Sequence, residues 1–131
     1  MIVGIGNDLV EIKRLERVLD KAHGPRFVQR SFTEKEQNLC EERGALQKPA
    51  CYAKRFAAKE AVIKALGVGF RDGLWLTDIE ILPNEWGKPC VTLHAATATW
   101  VSKHHPHGLA IHIALSDEKG MAMATAVVEA G

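Results

Sequence analysis

Cysteine is scarce in this chain, with three in 131 residues, at positions 40, 51 and 90. An odd number at wide spacing makes neither a disulfide framework nor a paired CxxC zinc site, so three reduced and mostly buried thiols are expected. An excess of charge of either sign is missing too: 17 Lys and Arg against 16 Asp and Glu leave a formal net charge of +1. Non-specific nucleic-acid binding is therefore not expected, and any charge-led partner must meet a local patch. No segment approaches the roughly 20 apolar residues that span a bilayer. The opening "MIVGIG" has neither the basic region nor the apolar region of a secretory leader. A cytoplasmic protein with no membrane association is the expectation. Repeats, linkers and low-complexity stretches are absent as well. With 47% hydrophobic and 25% charged residues, the chain reads as a single domain over 1–131 with a real core.

What is there falls into alternating short segments. Ile2 to Ile5 makes a short apolar strand ending at Gly6, and "NDLVEIKRLERVLD" follows with Ile12, Leu15, Val18 and Leu19 at helical spacing. Asn7 and Asp8 are thus expected at a strand-to-helix junction. Gly24 and Pro25 predict a turn, and Thr33 with Glu36 three residues on has the form of a capping box that opens a second helix. "EERGALQKPA" is expected as a loop. Lys54 to Leu66 then predicts a long helix stopped by Gly67 and Gly69. Beyond it the period changes to two: "LWLTDIEIL" and "CVTLH" predict a hairpin around "PNEWGKP", "AATATWVSK" a weak helix, and "LAIHIALS" and "MAMATAVV" two last strands. Strands without a regular strand-helix-strand repeat predict an α+β domain, mostly antiparallel, with one long central helix.

That helix contains the most informative residue. At 3.6 residues per turn, Phe56, Glu60, Ile63 and Gly67 share one stripe, so a carboxylate interrupts an apolar face. A Glu60–Lys64 pair at i, i+4 would be the bland explanation, worth roughly a few tenths of a kcal/mol. Ala57, Ala58, Ala61, Val62, Ala65 and Leu66 make most of the circumference apolar, and a carboxylate in such a setting needs a cation or donors. Asp8 is the second candidate. Alone it reads as an N-cap; together, Asp8 and Glu60 can supply two oxygen ligands to one magnesium ion, which takes one or two carboxylates and completes its shell with water and phosphate.

Arg55, Lys59 and Lys64 on the same helix, with the "GVG" after it, can hold phosphates or form a solvated basic edge. "HHPHG" reads as a surface loop, and His112, in an apolar strand with Ala114 and Ser116 on its face, as a hydrogen-bonded core histidine. Lys13, Arg14 and Arg17 share a face of the first helix, followed by Arg26 and Arg30. Such a face is either solvated or a dock for an acidic helix.

Taken jointly, "GIGNDLVEIKR", "RFVQRSFTEKE", "YAKRFAAKEAVIKALGVG", "DIEI", "GKP" and "IHIALSDE" resemble the holo-acyl-carrier-protein synthases, the small bacterial 4'-phosphopantetheinyl transferases, over nearly the whole chain. The resemblance implies that family's fold and a magnesium-dependent transfer of 4'-phosphopantetheine from coenzyme A to a serine of apo-acyl carrier protein. The products would be holo-carrier, for fatty acid biosynthesis, and 3',5'-ADP. It puts the metal carboxylates on Asp8 and Glu60 and a phosphate-neutralising lysine on Lys64. Arg55, Gly67 and His112 would line the coenzyme site, and Arg14 and Arg26 would meet the carrier's acidic recognition helix. It also implies a homotrimer with active sites at subunit interfaces. Glu60, a hydroxide on the metal, or His112 could serve as base. Two departures stand out: Ile63 where relatives often have serine, and Ala114 to Asp117 where many carry a serine-rich motif with a second histidine. Two rival functions share parts of this pattern. A magnesium-dependent nucleotide phosphohydrolase would use the carboxylates without the arginine patch, and a non-catalytic carrier-binding module would use the patch without the carboxylates.

Overall fold

The computed structural model describes residues 1–67 and 75–131. Its spine is an antiparallel three-stranded sheet in the order β1 (Ile2–Glu11), β5 (Met121–Ala130), β4 (Leu109–Glu118), with the helix α4 (Lys48–Leu66) laid across one face. A separate hairpin, β2 (Ile79–Pro83) with β3 (Pro89–Leu93), flanks it. Three short helices, α1 (Ile12–Asp20), α2 (Gly24–Ser31) and α3 (Glu34–Glu41), connect β1 to α4, and α5 (Ala95–His104) joins β3 to β4. The expected α+β class, antiparallel pairing and long central helix are all present. No helix among the described residues is long and apolar enough to cross a membrane.

Several boundaries differ from the sequence expectation, each for a tertiary reason. β1 does not stop at Gly6; it continues to Glu11 because β5 offers an unbroken partner from Val127 opposite Ile5 to Met121 opposite Glu11. Gly24 and Pro25 open α2 rather than a turn, as proline has no N–H to lose in a helix's first turn. Pro49 does the same for α4, which starts at Lys48, not Lys54. The capping box at Thr33 forms as expected, with Thr33 Oγ1 accepting from the Glu36 N–H and Glu36 Oε1 accepting from the Thr33 N–H. At the far end of α4, Gly67 adopts φ +80°, and its N–H bonds back to the Ile63 and Lys64 carbonyls, a left-handed stop that glycine takes without penalty. Gly69, the other expected stop, lies outside the described residues.

The contact between α4 and β1 is unusually close. A Cβ on Gly6 would overlap the Ala61 carbonyl oxygen and stand 2.8 Å from the Ala65 nitrogen; one on Gly4 would overlap the Ala65 carbonyl. Alanines 57, 58, 61 and 65 on the helix are likewise buried. Small residues on both surfaces let the backbones approach, and Val62, Ile63, Ile79, Ile81, Ala124, Ala126 and Val128 fill the space around them. A second cluster, with Leu15, Phe32 and Tyr52, packs the short helices against the start of α4. Within it Cys40 and Cys51 are joined as a disulfide between α3 and α4, not held as separate thiols; the helices bring their Cα atoms to 5.5 Å. Cys90 is free but exposed rather than buried.

Among the described residues, none forms a layer on the sheet's other face. Ile5, Leu9, Met121 and Met123 are exposed there among the alternate residues of β1 and β5.

Candidate active site

Asp8 lies inside β1, paired with Ala124 of β5, three residues before the strand ends. It is therefore not the N-cap of α1, a position held by Glu11 with no side-chain cap bond. Strand alternation instead turns Asp8 to the side that α4 covers, where Gly6 and Val10 also point. The acid's side chain retains 19% exposure, and Lys64, on the last turn of α4, reaches it. Lys64 Nζ donates to Asp8 Oδ1 at 3.0 Å and to the Asn7 carbonyl at 3.0 Å. These bonds cross from helix to strand, so the lysine's work is not the helix-surface pair with Glu60.

Glu60 is one helical turn earlier and half-buried. Its carboxyl is held above the ordinary glutamate range, first by burial and then by the negative charge of Asp8, with Lys64 opposing. The two carboxylates line one cleft of about 330 Å³ between β1, α1, α2 and α4, together with Arg14, Phe27 and Phe56. Three acids, Asp8, Glu11 and Glu60, against Arg14 and the Lys64 ammonium leave surplus negative charge in a partly desolvated pocket. No cluster of three or more His, Cys, Asp or Glu suited to a metal occurs among the described residues. A two-carboxylate set open to solvent and substrate nevertheless suits magnesium.

The remaining expected residues are distributed around this centre. Arg26 and Arg30 border a broader groove of about 850 Å³, walled by Phe27, Trp75 and Leu76. Phe27 lines both concavities, so the Arg14 cleft and the Arg26 groove are neighbours. Arg55 is only 6% exposed, with its guanidinium donating to the Ile81 and Cys51 carbonyls at 3.2 and 3.3 Å. Even so, it lines a further hollow of about 440 Å³ with Arg43, Lys54, Ala114 and Leu115. Gly67 is placed by its capping role at the end of α4.

Two residues depart from the sequence expectation. His112 is no core histidine: it is exposed on the uncovered face of the sheet, opposite Val127, and its Nε2 lies 2.8 Å from Glu129 Oε1. Lys59 cannot serve as a free phosphate-binding cation. It is fully buried, and its ammonium meets Glu36 Oε1 at 2.7 Å, the Leu76 carbonyl at 2.8 Å and the Ile79 carbonyl. Glu36, recognised from the sequence only as a capping-box residue, is the partner that was missed; a lysine in the middle of an apolar helix was the signal that a buried acid exists somewhere. Ile63, 4% exposed in the core, makes no site wall.

The 4'-phosphopantetheinyl transferase superfamily model matches residues 4–126. The chain belongs to that family. It is 67% identical over 129 residues to the holo-[acyl-carrier-protein] synthase of Magnetococcus marinus, covering 98% of this chain and 94% of that one. The crystal structure of the Neisseria meningitidis holo-[acyl-carrier-protein] synthase is similar at TM-score 0.87 and 34% identity, over 98% of this chain and 99% of the other. A holo-(acyl-carrier-protein) synthase from Bacillus anthracis, solved in complex with CoA (3',5'-ADP), is similar at TM-score 0.81 and 33% identity over 100% and 99%. These relatives match the whole chain, so the family's fold extends from the Asp8 strand through α4 to the last hairpin.

Proposed function

We propose that this chain is a holo-acyl-carrier-protein synthase, which moves 4'-phosphopantetheine from coenzyme A to a serine of apo-acyl carrier protein and releases 3',5'-ADP. The observation that carries the reading is the Asp8, Lys64 and Glu60 cluster, built where α4 presses onto β1. The whole-length similarity to synthases, one of them in complex with CoA (3',5'-ADP), supports it.

Asp8 and Glu60 would hold one Mg²⁺ jointly with the coenzyme's pyrophosphate. When bound, that ion supplies electrostatic relief of the charge around the phosphorus and on the departing 3',5'-ADP. Lys64, held by Asp8 and Asn7, would contribute a second positive charge at the same place. Glu60, a hydroxide on the metal, or His112 would accept the proton of the attacking serine. Arg14 in the cleft and Arg26 along the adjoining groove would receive the carrier, bringing its serine past Phe27. Arg55, beside Arg43 and Lys54, gives its hollow a positive rim suited to the nucleotide phosphates of coenzyme A.

The same reading includes a homotrimer in the cytoplasm that supplies holo-carrier for fatty acid biosynthesis. The exposed apolar residues of this sheet face support a second copy as its occupant, and His112, on the same face, would lie at that interface. Incubation with coenzyme A, Mg²⁺ and apo-carrier, followed by intact mass, tests the activity. A carrier heavier by phosphopantetheine is the expected result. Free 3',5'-ADP with unmodified carrier would instead mean a phosphohydrolase, and binding without chemistry a docking module.

A further inference from the structure

The buried Lys59–Glu36 pair stands next to the active cleft without touching it. All three ammonium hydrogens of Lys59 have protein acceptors, in Glu36, Leu76 and Ile79, so none is left for a ligand. Glu36 is equally committed. Its Oε1 also accepts from the Thr33 N–H at 2.8 Å, and its Oε2 accepts from the Ile81 N–H at 2.8 Å. Both side chains are fully buried. The network thus joins α3, α4, the 3-10 turn Leu76–Asp78 and β2 at one point.

Its position on the helix gives it a consequence for the site. At about 100° per residue, Ala61 and Ala65 lie roughly 200° and 240° around the axis from Lys59, and these are the residues against which Gly6 and Gly4 of β1 press. α4 is therefore held from nearly opposite sides, by the glycines of β1 and by the ammonium cage. Glu60 lies between them, about 100° from Lys59, and its direction follows from how those two contacts set the helix's rotation. A buried ion pair contributes little stability over an apolar pair of similar size, because desolvation offsets the attraction. What an apolar pair could not supply is directional bonding at this point of the helix.

We propose that Lys59 is a positioning residue for the transfer reaction: through Glu36 and the Leu76 and Ile79 carbonyls it sets the rotation of α4 that aims Glu60 at the place Asp8 also lines. The inference rests on the reading of Asp8 and Glu60 as a shared cation site. It differs from a direct phosphate contact by Lys59, and from a purely structural role, in what substitutions do.

The test measures coenzyme A affinity by calorimetry with and without Mg²⁺, and transfer kinetics against Mg²⁺ concentration, for the wild type, Lys59→Met and Glu36→Gln with Lys59→Met. Lys59→Met should reduce the Mg²⁺-dependent gain in coenzyme affinity by tenfold or more and raise the Mg²⁺ needed for half-maximal rate. The double variant, which no longer buries an unpaired carboxylate, should recover heat stability but keep the weakened Mg²⁺ response, because it still lacks the ammonium's bonds to the Leu76 and Ile79 carbonyls, and it remains measurable if the single variant does not fold. A double variant that regains the wild-type Mg²⁺ response would show the ammonium's bonds to be dispensable and would overturn the proposal, as would a Lys59→Met protein that loses coenzyme affinity equally without Mg²⁺, which would mean a direct ligand. So would a Lys59→Met protein, or a double variant where the single one does not fold, that is merely less heat-stable while keeping the wild-type Mg²⁺ response. A wild type whose coenzyme affinity ignores Mg²⁺ would overturn the shared cation site first, and the proposal with it.

Discussion

Replacing Gly6 by alanine is the sharpest probe of the seam between β1 and α4, because it adds one methyl group and no charge at the place where the site is assembled. The added Cβ would overlap the Ala61 carbonyl oxygen and come to 2.8 Å from the Ala65 nitrogen and 3.0 Å from Lys64 Cβ. Contacts of carbon with backbone oxygen ordinarily settle at about 3.3–3.6 Å. The helix must therefore withdraw by roughly 1.1–1.4 Å, since backbone cannot swing aside as a side chain can. Overpacking of this kind costs about 1–3 kcal/mol, or a melting temperature lower by roughly 4–12 °C for a domain of this size. The larger effect should be catalytic. Asp8 is two residues along the same strand, and Glu60 and Lys64 flank the contact on the helix, so the withdrawal separates the carboxylates and stretches the 3.0 Å bond from Lys64 to Asp8. A displacement near 1 Å at reacting groups can lower turnover by roughly a hundredfold, and tenfold to a hundredfold is expected here. Thermal melts and steady-state transfer assays on the folded protein check both numbers. A Gly6→Ala enzyme with wild-type turnover, whatever its stability, would refute the claim that this close approach sets the site.

The elements that build this seam were legible in part. The apolar stripe interrupted by Glu60 and the helix stop at Gly67 could be read locally, because helical periodicity and a left-handed cap are properties of adjacent residues. Asp8 was placed at a helix start because glycine, asparagine and aspartate all disfavour strands. Pairing with β5 overrides that preference, and no local pattern reports a partner more than a hundred residues away. Lys59 shows the same limit from the other side. Its charge suggests a ligand, but whether a lysine on a largely buried helix meets phosphate or a buried acid depends on Glu36, 23 residues earlier and identifiable locally only as a cap. His112 differs for another reason: Leu109, Ile111, Ile113 and Leu115 make the apolar face of β4 that packs on the core, so the alternation itself turns His112 outward with Ala114 and Ser116. The cysteines at 40 and 51 needed the antiparallel packing of α3 on α4 before their proximity existed at all.

The other expectations concern charge and assembly. Asp8→Asn keeps an acceptor for Lys64 but removes a charge, so transfer should fall by about two orders of magnitude, by analogy with lost electrostatic groups, and the Mg²⁺ requirement should rise; normal activity at low Mg²⁺ would end the shared-cation reading. Arg14→Glu should raise the KM for carrier and flatten its salt dependence while leaving coenzyme affinity nearly unchanged, and unaltered carrier kinetics at low salt would remove Arg14 from the docking surface. Ile5→Glu on the exposed sheet face, where Ile5 is 70% exposed, should leave the chain folded but shift light scattering from trimer to monomer and abolish transfer; a fully active monomer would show that one chain suffices. Glu60→Gln should raise the melting temperature of the ligand-free protein at pH 7 while abolishing transfer. Burial and Asp8 hold the Glu60 carboxyl above its ordinary value of 4.5, so the folded state binds the proton more tightly than the unfolded state. The ionised form therefore costs stability at every pH above the folded-state value. That cost shrinks as pH falls through it, and vanishes once both states are protonated below the ordinary value. The advantage of the neutral glutamine should accordingly be present at pH 7 and disappear on acidification to about pH 4, near the unperturbed glutamate value. Melting curves across that range decide it: a Glu60→Gln protein less stable than wild type at pH 7 would mean that the carboxylate is held by favourable contacts, leaving no electrostatic strain for a cation to relieve.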